Sequence, residues 1–149
     1  MYVDYGYYKN EFKGTTLTEE EFNTFGSLSE KYIEKNTLSR VTEGSINSYP
    51  TPLVLDIKDC VCELASFLHE ISLVRSNALG GVNSGEGIIK SKKAGEVSIS
   101  YDTSCLSGIY LNTKNVEGEK QLILKQYLYP RCIGGTTYNL LSKVIDRYV

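Results

Sequence analysis

Apolar and polar residues follow two different periods along this chain. Over residues 19–39 the apolar positions Phe22, Phe25, Leu28, Tyr32 and Ile33 recur every three or four residues. At 100° per residue they fall within an arc of about 140°, the mark of an amphipathic helix of about five turns. Its start is signposted. Thr18 followed by Glu21 is a capping-box pattern, and Glu19, Glu20 and Glu21 suit the positive end of a helix dipole. The helix should end near Ser39, and residues 42–50, TEGSINSYP, read as a loop. Thr51 then caps a second helix with Pro52 at its first position, where a missing N–H costs nothing. Through Arg75, the positions Val54, Ile57, Cys60, Val61, Leu64, Ala65, Phe67, Leu68 and Ile71 cover about half the circumference. Lys58, Asp59, Glu63, Ser66, His69 and Glu70 cluster opposite. So wide an apolar face predicts the central helix of a bundle.

The period then changes to two. EVSISYD alternates strictly and predicts a strand at about 96–102. Before it lies the loop 76–95, SNALGGVNSGEGIIKSKKAG. Ordering so long a segment costs about 1–2 kcal/mol per residue. Val82, Ile88 and Ile89 offset only about 1.5–3 kcal/mol each. The loop and the lone strand must therefore find contacts elsewhere. Either the strand pairs with a preceding piece such as Gly87–Lys92 as a long hairpin, or it adds to a neighbouring subunit. Leu106–Leu111 reads as a helical turn, and Asn115–Leu128 as a helix stopped by Pro130. After a break at Ile133-Gly134-Gly135, Thr137 caps a last helix in which Leu141, Val144, Ile145 and Tyr148 share a face. The predicted fold is mainly α: a small helical bundle with one extended loop or β-hairpin, in a single domain over 1–149 with a C-terminal segment 131–149.

Composition narrows the function. The 149 residues carry 16 Lys and Arg against 18 Asp and Glu, a net charge of -2, which argues against coating DNA by bulk charge. No apolar run approaches the roughly 20 residues that span a bilayer, and MYVDYGYYKNE is not the pattern of a signal peptide. The expectation is a protein synthesised in a cytoplasm, with no membrane partner. Cys60, Cys62, Cys105 and Cys132 are irregularly spaced and read as reduced thiols. Two positions apart on a helix, Cys60 and Cys62 diverge by about 200° and cannot grip one metal ion.

Catalytic chemistry finds no foothold in the pattern. His69 reads as a plain surface histidine, and Cys62 lies about 10 Å away along the helix axis, too far for a nucleophile and base pair. Gly80 and Gly85 have the separation of a phosphate loop, but Glu86 stands where the motif needs lysine. Lys90, Lys92 and Lys93 form a basic run that could touch a nucleic-acid backbone or simply be solvated. No catalytic residue, cofactor site or metal site is predicted, and a binding, structural or assembly role follows. Tyr2, Tyr5, Tyr7 and Tyr8, with Phe12, crowd the start of the chain, either to dock a partner or to cover the chain's own core.

The stretches YGYYKNEFKGTTLTEEEF (5–22), SEKYIEKNTLSR (29–40), the Val-Cys-Glu-Leu-Ala pattern at 61–65 and KAGEVSISYDTSCLSG (93–108) resemble, in order and spacing, the head-tail connector proteins of tailed phages and prophages of Gram-positive bacteria. Together they cover about half of the chain. The resemblance implies a structural virion protein. It would form a ring, commonly dodecameric, between the portal and the tail, at the virion neck. Its partners would be its own copies, the portal protein and a tail-side neck or tail terminator protein, with DNA passing through the channel without sequence-specific binding. Under it Lys90, Lys92, Lys93, Val97, Ile99 and Tyr101 become subunit or channel contacts. Tyr2, Tyr5, Tyr7 and Tyr8 become a docking face, and Tyr138, Leu141 and Tyr148 a portal contact. The match weakens after Gly135, where relatives often end in a Gly-x-Gly-Leu-Leu-Tyr-Arg-Gly-like tail and this chain reads TTYNLLSKVIDRYV. The alternatives are another neck, tail-completion or collar protein of a phage-like particle and, from a different class, a small helical nucleic-acid-binding regulator. The latter calls for a basic recognition helix, which neither strong helix supplies.

Overall fold

The computed structural model describes residues 1–83, 92–94, 97–99 and 112–141, with side chains for 1–76 and 112–141. Among them are four α-helices: α1 (Tyr5–Asn10), α2 (Glu19–Asn36), α3 (Thr51–Asn83) and α4 (Thr113–Leu128). Two antiparallel hairpins accompany them, β1 (Lys92–Ala94) with β2 (Val97–Ile99), and β3 (Arg131–Ile133) with β4 (Thr136–Tyr138). The protein is mainly helical with small hairpins, as the pattern predicts. It divides into two compact units, Met1–His69 with Gly118–Val149, and Glu70–Glu117.

In the first unit α2 begins where the capping box places it. The Thr18 N–H donates to Glu21 Oε2 at 2.9 Å, and the Glu21 N–H donates to Thr18 Oγ1 at 3.4 Å. The buried stripe is Phe22, Gly26, Ser29 and Ile33. Leu28, expected on the apolar face, is 49% exposed. At 100° per residue it lies well round from Phe22 and Ile33, and the small Gly26 and Ser29 take the contact instead. The core gathers Phe22 and Ile33 with Val3, Tyr8, Leu17, Val41, Ile57, Val61, Leu64, Leu124 and Leu128.

Helix α3 supplies the centre, as its broad apolar face requires. Its first turn hangs from the Pro50 carbonyl, which accepts from the N–H groups of Leu53 and Val54. Pro52, lacking an N–H, fits that turn. The helix is longer than predicted. It continues through Gly80-Gly81 to Asn83, so residues 76–83 of the expected loop are helical. A glycine pair disfavours a helix by about 0.5–1 kcal/mol per residue, too little to stop one already propagating. Residues 84–91 lie outside the described residues.

The N-terminal segment adds a helix the pattern did not show. Asp4 Oδ1 accepts from the Tyr7 N–H at 2.7 Å and caps α1, a single short helix that carries Tyr8 into the core. Gly14 is required beneath it, because a Cβ there would sit 2.0 Å from the Tyr8 ring.

The C-terminal segment departs further from expectation. Thr137 caps no helix: it lies in β4, paired with Cys132. Gly134 and Gly135 have φ of +60° and +81°, the two positive values that a two-residue type I′ hairpin turn needs. The two glycines therefore join two strands, where the sequence pattern predicts a break before a helix. Asn139, Leu140 and Leu141 are not helical, and residues 142–149 lie outside the described residues.

In the second unit Asn112 caps α4, its side chain accepting from the Lys114 N–H at 3.0 Å and its carbonyl from the Val116 N–H. The strand predicted at 96–102 is present over Val97–Ile99, and its partner Lys92–Ala94 lies only two residues before it. The hairpin is thus tighter than the long one envisaged. The helical turn expected at Leu106–Leu111 lies outside the described residues.

Candidate assembly surfaces

The polar edge of α3 is covered by the chain itself. Tyr7 donates to Asp59 Oδ1 at 2.8 Å, Tyr127 donates to Glu63 Oε2, and Arg131 pairs with Asp56. Tyr8 Oη lies 3.0 Å from Thr16 Oγ1 and 3.4 Å from Ser66 Oγ. Asp56, Asp59 and Glu63 on this edge therefore each hold a phenol or a guanidinium from another element. Burial first, and the carboxylate beside it second, hold the phenols of Tyr7 and Tyr127 well above the usual phenol range.

The four N-terminal tyrosines lie against the core of their own chain. Tyr8 is fully buried, stacked between Tyr5 and Phe12 at ring distances of 6.0 and 5.9 Å. Tyr2, Tyr5 and Tyr7 are half-buried against the same cluster. Of the two roles open to them, covering the core is the one this geometry displays. The Tyr2 hydroxyl is buried without a hydrogen-bond partner, and burial pushes its pKa far up.

His69 is not the surface residue expected. It is 9% exposed, its Nε2 3.4 Å from Glu21 Oε1 and its ring edge-on to Phe25 at 5.5 Å. Its partner, Glu21, already accepts twice from Thr18, and those bonds chiefly hold its carboxyl below the usual range. Cys60 and Cys62 are free and buried. Desolvation raises both thiols, Cys62 to about 12, which leaves them protonated and unreactive. Cys132 is free and exposed. Among the described residues no group of His, Cys, Asp and Glu is arranged to hold a metal ion.

The hairpin residues come together by register. Lys92 faces Ile99 and Ala94 faces Val97, so Lys92, Val97 and Ile99 share one face and Lys93 and Ser98 the other. Lys90 and Tyr101 lie outside the described residues. Tyr138 and Leu141 are placed in the first unit. Tyr138 sits edge-on to Tyr49 at 6.3 Å, and Leu141 belongs to the core. Tyr148 lies outside the described residues.

Sequence reasoning missed one feature altogether. Leu38, in the turn that ends α2, is 65% exposed and has φ +52°, and Ser39 follows with φ +57°. Left-handed backbone costs a residue with a Cβ about 1–2 kcal/mol. The turn is nonetheless tightly braced. The Ser39 N–H donates to the Glu34 carbonyl at 2.8 Å, and the Arg40 carbonyl accepts from both Ser45 Oγ and Tyr49 Oη. Arg40 Nη1 in turn donates to the Asn139 carbonyl at 2.9 Å. Only the apolar Leu38 between Thr37 and Ser39 hinted at this, since glycine is usual where a helix ends left-handed.

Two open grooves lie on the surface of this unit. One, of about 360 Å³, is lined by Tyr2, Asp4, Gly6, Tyr7, Asn10, Glu11 and Lys58, with Lys58 Nζ 5.1 Å from the centre of the Tyr7 ring. The other, of about 230 Å³, is walled by Glu30, Glu34 and Glu43. No helix among the described residues is long and apolar enough to cross a membrane. No family model, curated protein or solved structure matches the chain.

Proposed function

We propose that the protein is a structural assembly component of a phage particle, a head-tail connector whose copies form a ring between portal and tail. The observation that carries this reading is the antiparallel hairpin Lys92–Ala94/Val97–Ile99. All of it but Lys92 falls within the KAGEVSIS stretch of the resemblance, and its register places Val97 and Ile99 on one face of a two-stranded sheet, opposite Ala94 and Lys92. A two-stranded hairpin is at best marginal in water by itself. A neighbouring subunit that covers its apolar face would supply what it lacks, and Lys90, Lys92 and Lys93 would lie at that contact or toward the channel. The state of several reactive groups supports a role in assembly: Asp56, Asp59 and Glu63 of α3 are engaged by tyrosines and an arginine, and the two helical thiols are buried. Tyr138 and Tyr148 remain the residues proposed to lie near the portal, whereas Leu141 is buried in the core of its own chain and is not open to that contact.

Co-expression with the portal protein of the same genome, followed by electron microscopy, tests the function. Rings seated on the portal are the expected result. If neither a ring nor a portal complex forms, the connector reading fails, and a tail-side collar role becomes the one to examine.

A further inference from the structure

The turn that ends α2 holds a leucine out in water in a backbone conformation that leucine disfavours, and several hydrogen bonds fix it there. Its exposed charged neighbours Lys35 and Arg40 are cationic. Glu34 is turned to another groove, with Glu30 and Glu43. The protrusion is thus an apolar tip with an exposed cation on each side of it in the chain, Arg40 being held by the Asn139 carbonyl. Elsewhere on the same unit lies a groove of complementary character. Tyr2, Gly6 and Tyr7 line it, and the exposed carboxylates of Asp4 and Glu11 stand at it. Its one cation, Lys58, is already drawn over the Tyr7 ring. At about 360 Å³ it falls within the range of about 300–1,000 Å³ of pockets that bury small ligands, room enough for a leucine and the stem of a lysine. No residue is common to protrusion and groove.

We propose that Leu38, with Lys35 and Arg40, seats in the Tyr2–Tyr7 groove of a second copy of the chain. This deepens the connector reading and rests on it for the closure of a ring. Because the two surfaces differ, each contact leaves one protrusion and one groove free, and association continues head to tail until it closes. Opposite charges would set the orientation, with Lys35 and Arg40 meeting Asp4 and Glu11.

The test uses Leu38→Asn and Glu11→Lys. Asparagine tolerates left-handed backbone better than leucine, so Leu38→Asn should keep or raise the melting temperature while removing the apolar tip. Sedimentation velocity over rising concentration should show self-association of the wild type, weakened at least about tenfold in either variant. Mixed in equal amounts, the variants retain one competent pair of surfaces and should give dimers and nothing larger. Wild-type-like assembly of either variant, growth of the mixture beyond dimers, or a wild type that stays monomeric throughout would overturn the proposal. Rings on the portal that both variants still form would overturn this interface and leave the connector reading standing. Head-to-tail association that both variants abolish, without any portal complex, would do the reverse.

Discussion

Replacing Tyr2 by phenylalanine should stabilise this protein, although it deletes a polar group from a tyrosine packed on the core. The Tyr2 hydroxyl is buried and has no hydrogen-bond partner, so folding strips it of water and returns nothing. A buried unsatisfied group costs about 1–3 kcal/mol. Tyr2 is only half-buried as a residue, which favours the low end, and removal of its oxygen should yield about 1 kcal/mol. For a chain of this length that corresponds to a rise in Tm of about 3 °C. Tyr7→Phe is the matched control. It removes an equally small group, but one that donates to the Asp59 carboxylate at 2.8 Å, and bonds to charged groups are worth about 1.5–3 kcal/mol. With Tyr7 half-exposed, a loss near 1 kcal/mol is expected. The two variants should therefore move in opposite directions. Urea denaturation at pH 7, followed by far-UV circular dichroism, measures both, with an unchanged slope showing that the unfolded state is not responsible. If Tyr2→Phe weakens the fold as much as Tyr7→Phe does, the Tyr2 hydroxyl has a partner in solution and the reasoning is refuted.

Three further outcomes follow from the same packing. Gly14→Ala should destabilise by about 3 kcal/mol, because the new Cβ meets the buried Tyr8 ring at 2.0 Å and that ring is packed among Tyr5, Phe12 and Phe22; near-wild-type thermal stability would contradict the close approach. Thr18→Ala removes the N-cap of α2 and should cost about 1 kcal/mol, measured by the same urea titration. Alkali should unfold the protein cooperatively: burial raises Cys60, Cys62, Tyr2, Tyr7 and Tyr127 above the values of about 9 for thiols and 10 for phenols in the unfolded chain, so their contribution is whole below pH 9 and falls as pH rises from there. Melting temperatures unchanged between pH 8 and about 11 would refute that linkage.

Several local signals in the sequence hold, although Thr51 opens α3 without capping it and Thr137 lies in a strand, while signals that depend on tertiary contact do not. The capping box at Thr18 and Glu21, the stop at Pro130 and the broad face of α3 each rest on a few neighbouring residues, and all appear in the fold. The inward turn of His69 was illegible, since it depends on Glu21 and Phe25 from α2. Likewise Gly14 is a packing residue only because Tyr8, six positions earlier, folds back over it. The hairpin at Gly134-Gly135 is a different case. Two glycines between Arg131–Ile133 and Thr136–Tyr138 are a recognised turn signal, and the apolar residues beyond them drew attention to a helix instead.

The same distinction bears on where partners can bind. Sequence reasoning weighed an interface at the N-terminal tyrosines because aromatic residues are common both in cores and at contacts, and composition cannot separate the two. In the fold, Tyr7, Tyr8 and Tyr127 reach the polar edge of α3 and close it off. Among the described residues, the surfaces open to a partner include the β1–β2 hairpin, the groove beside Tyr7 and the strained turn at Leu38. Of these, Leu38 is the most telling, because natural selection can relieve an exposed, left-handed leucine by a single change to glycine or asparagine. The left-handed backbone closes the end of α2 through the Ser39 N–H bond to the Glu34 carbonyl, so folding accounts for the turn, and the exposed apolar side chain is the part that a contact would explain.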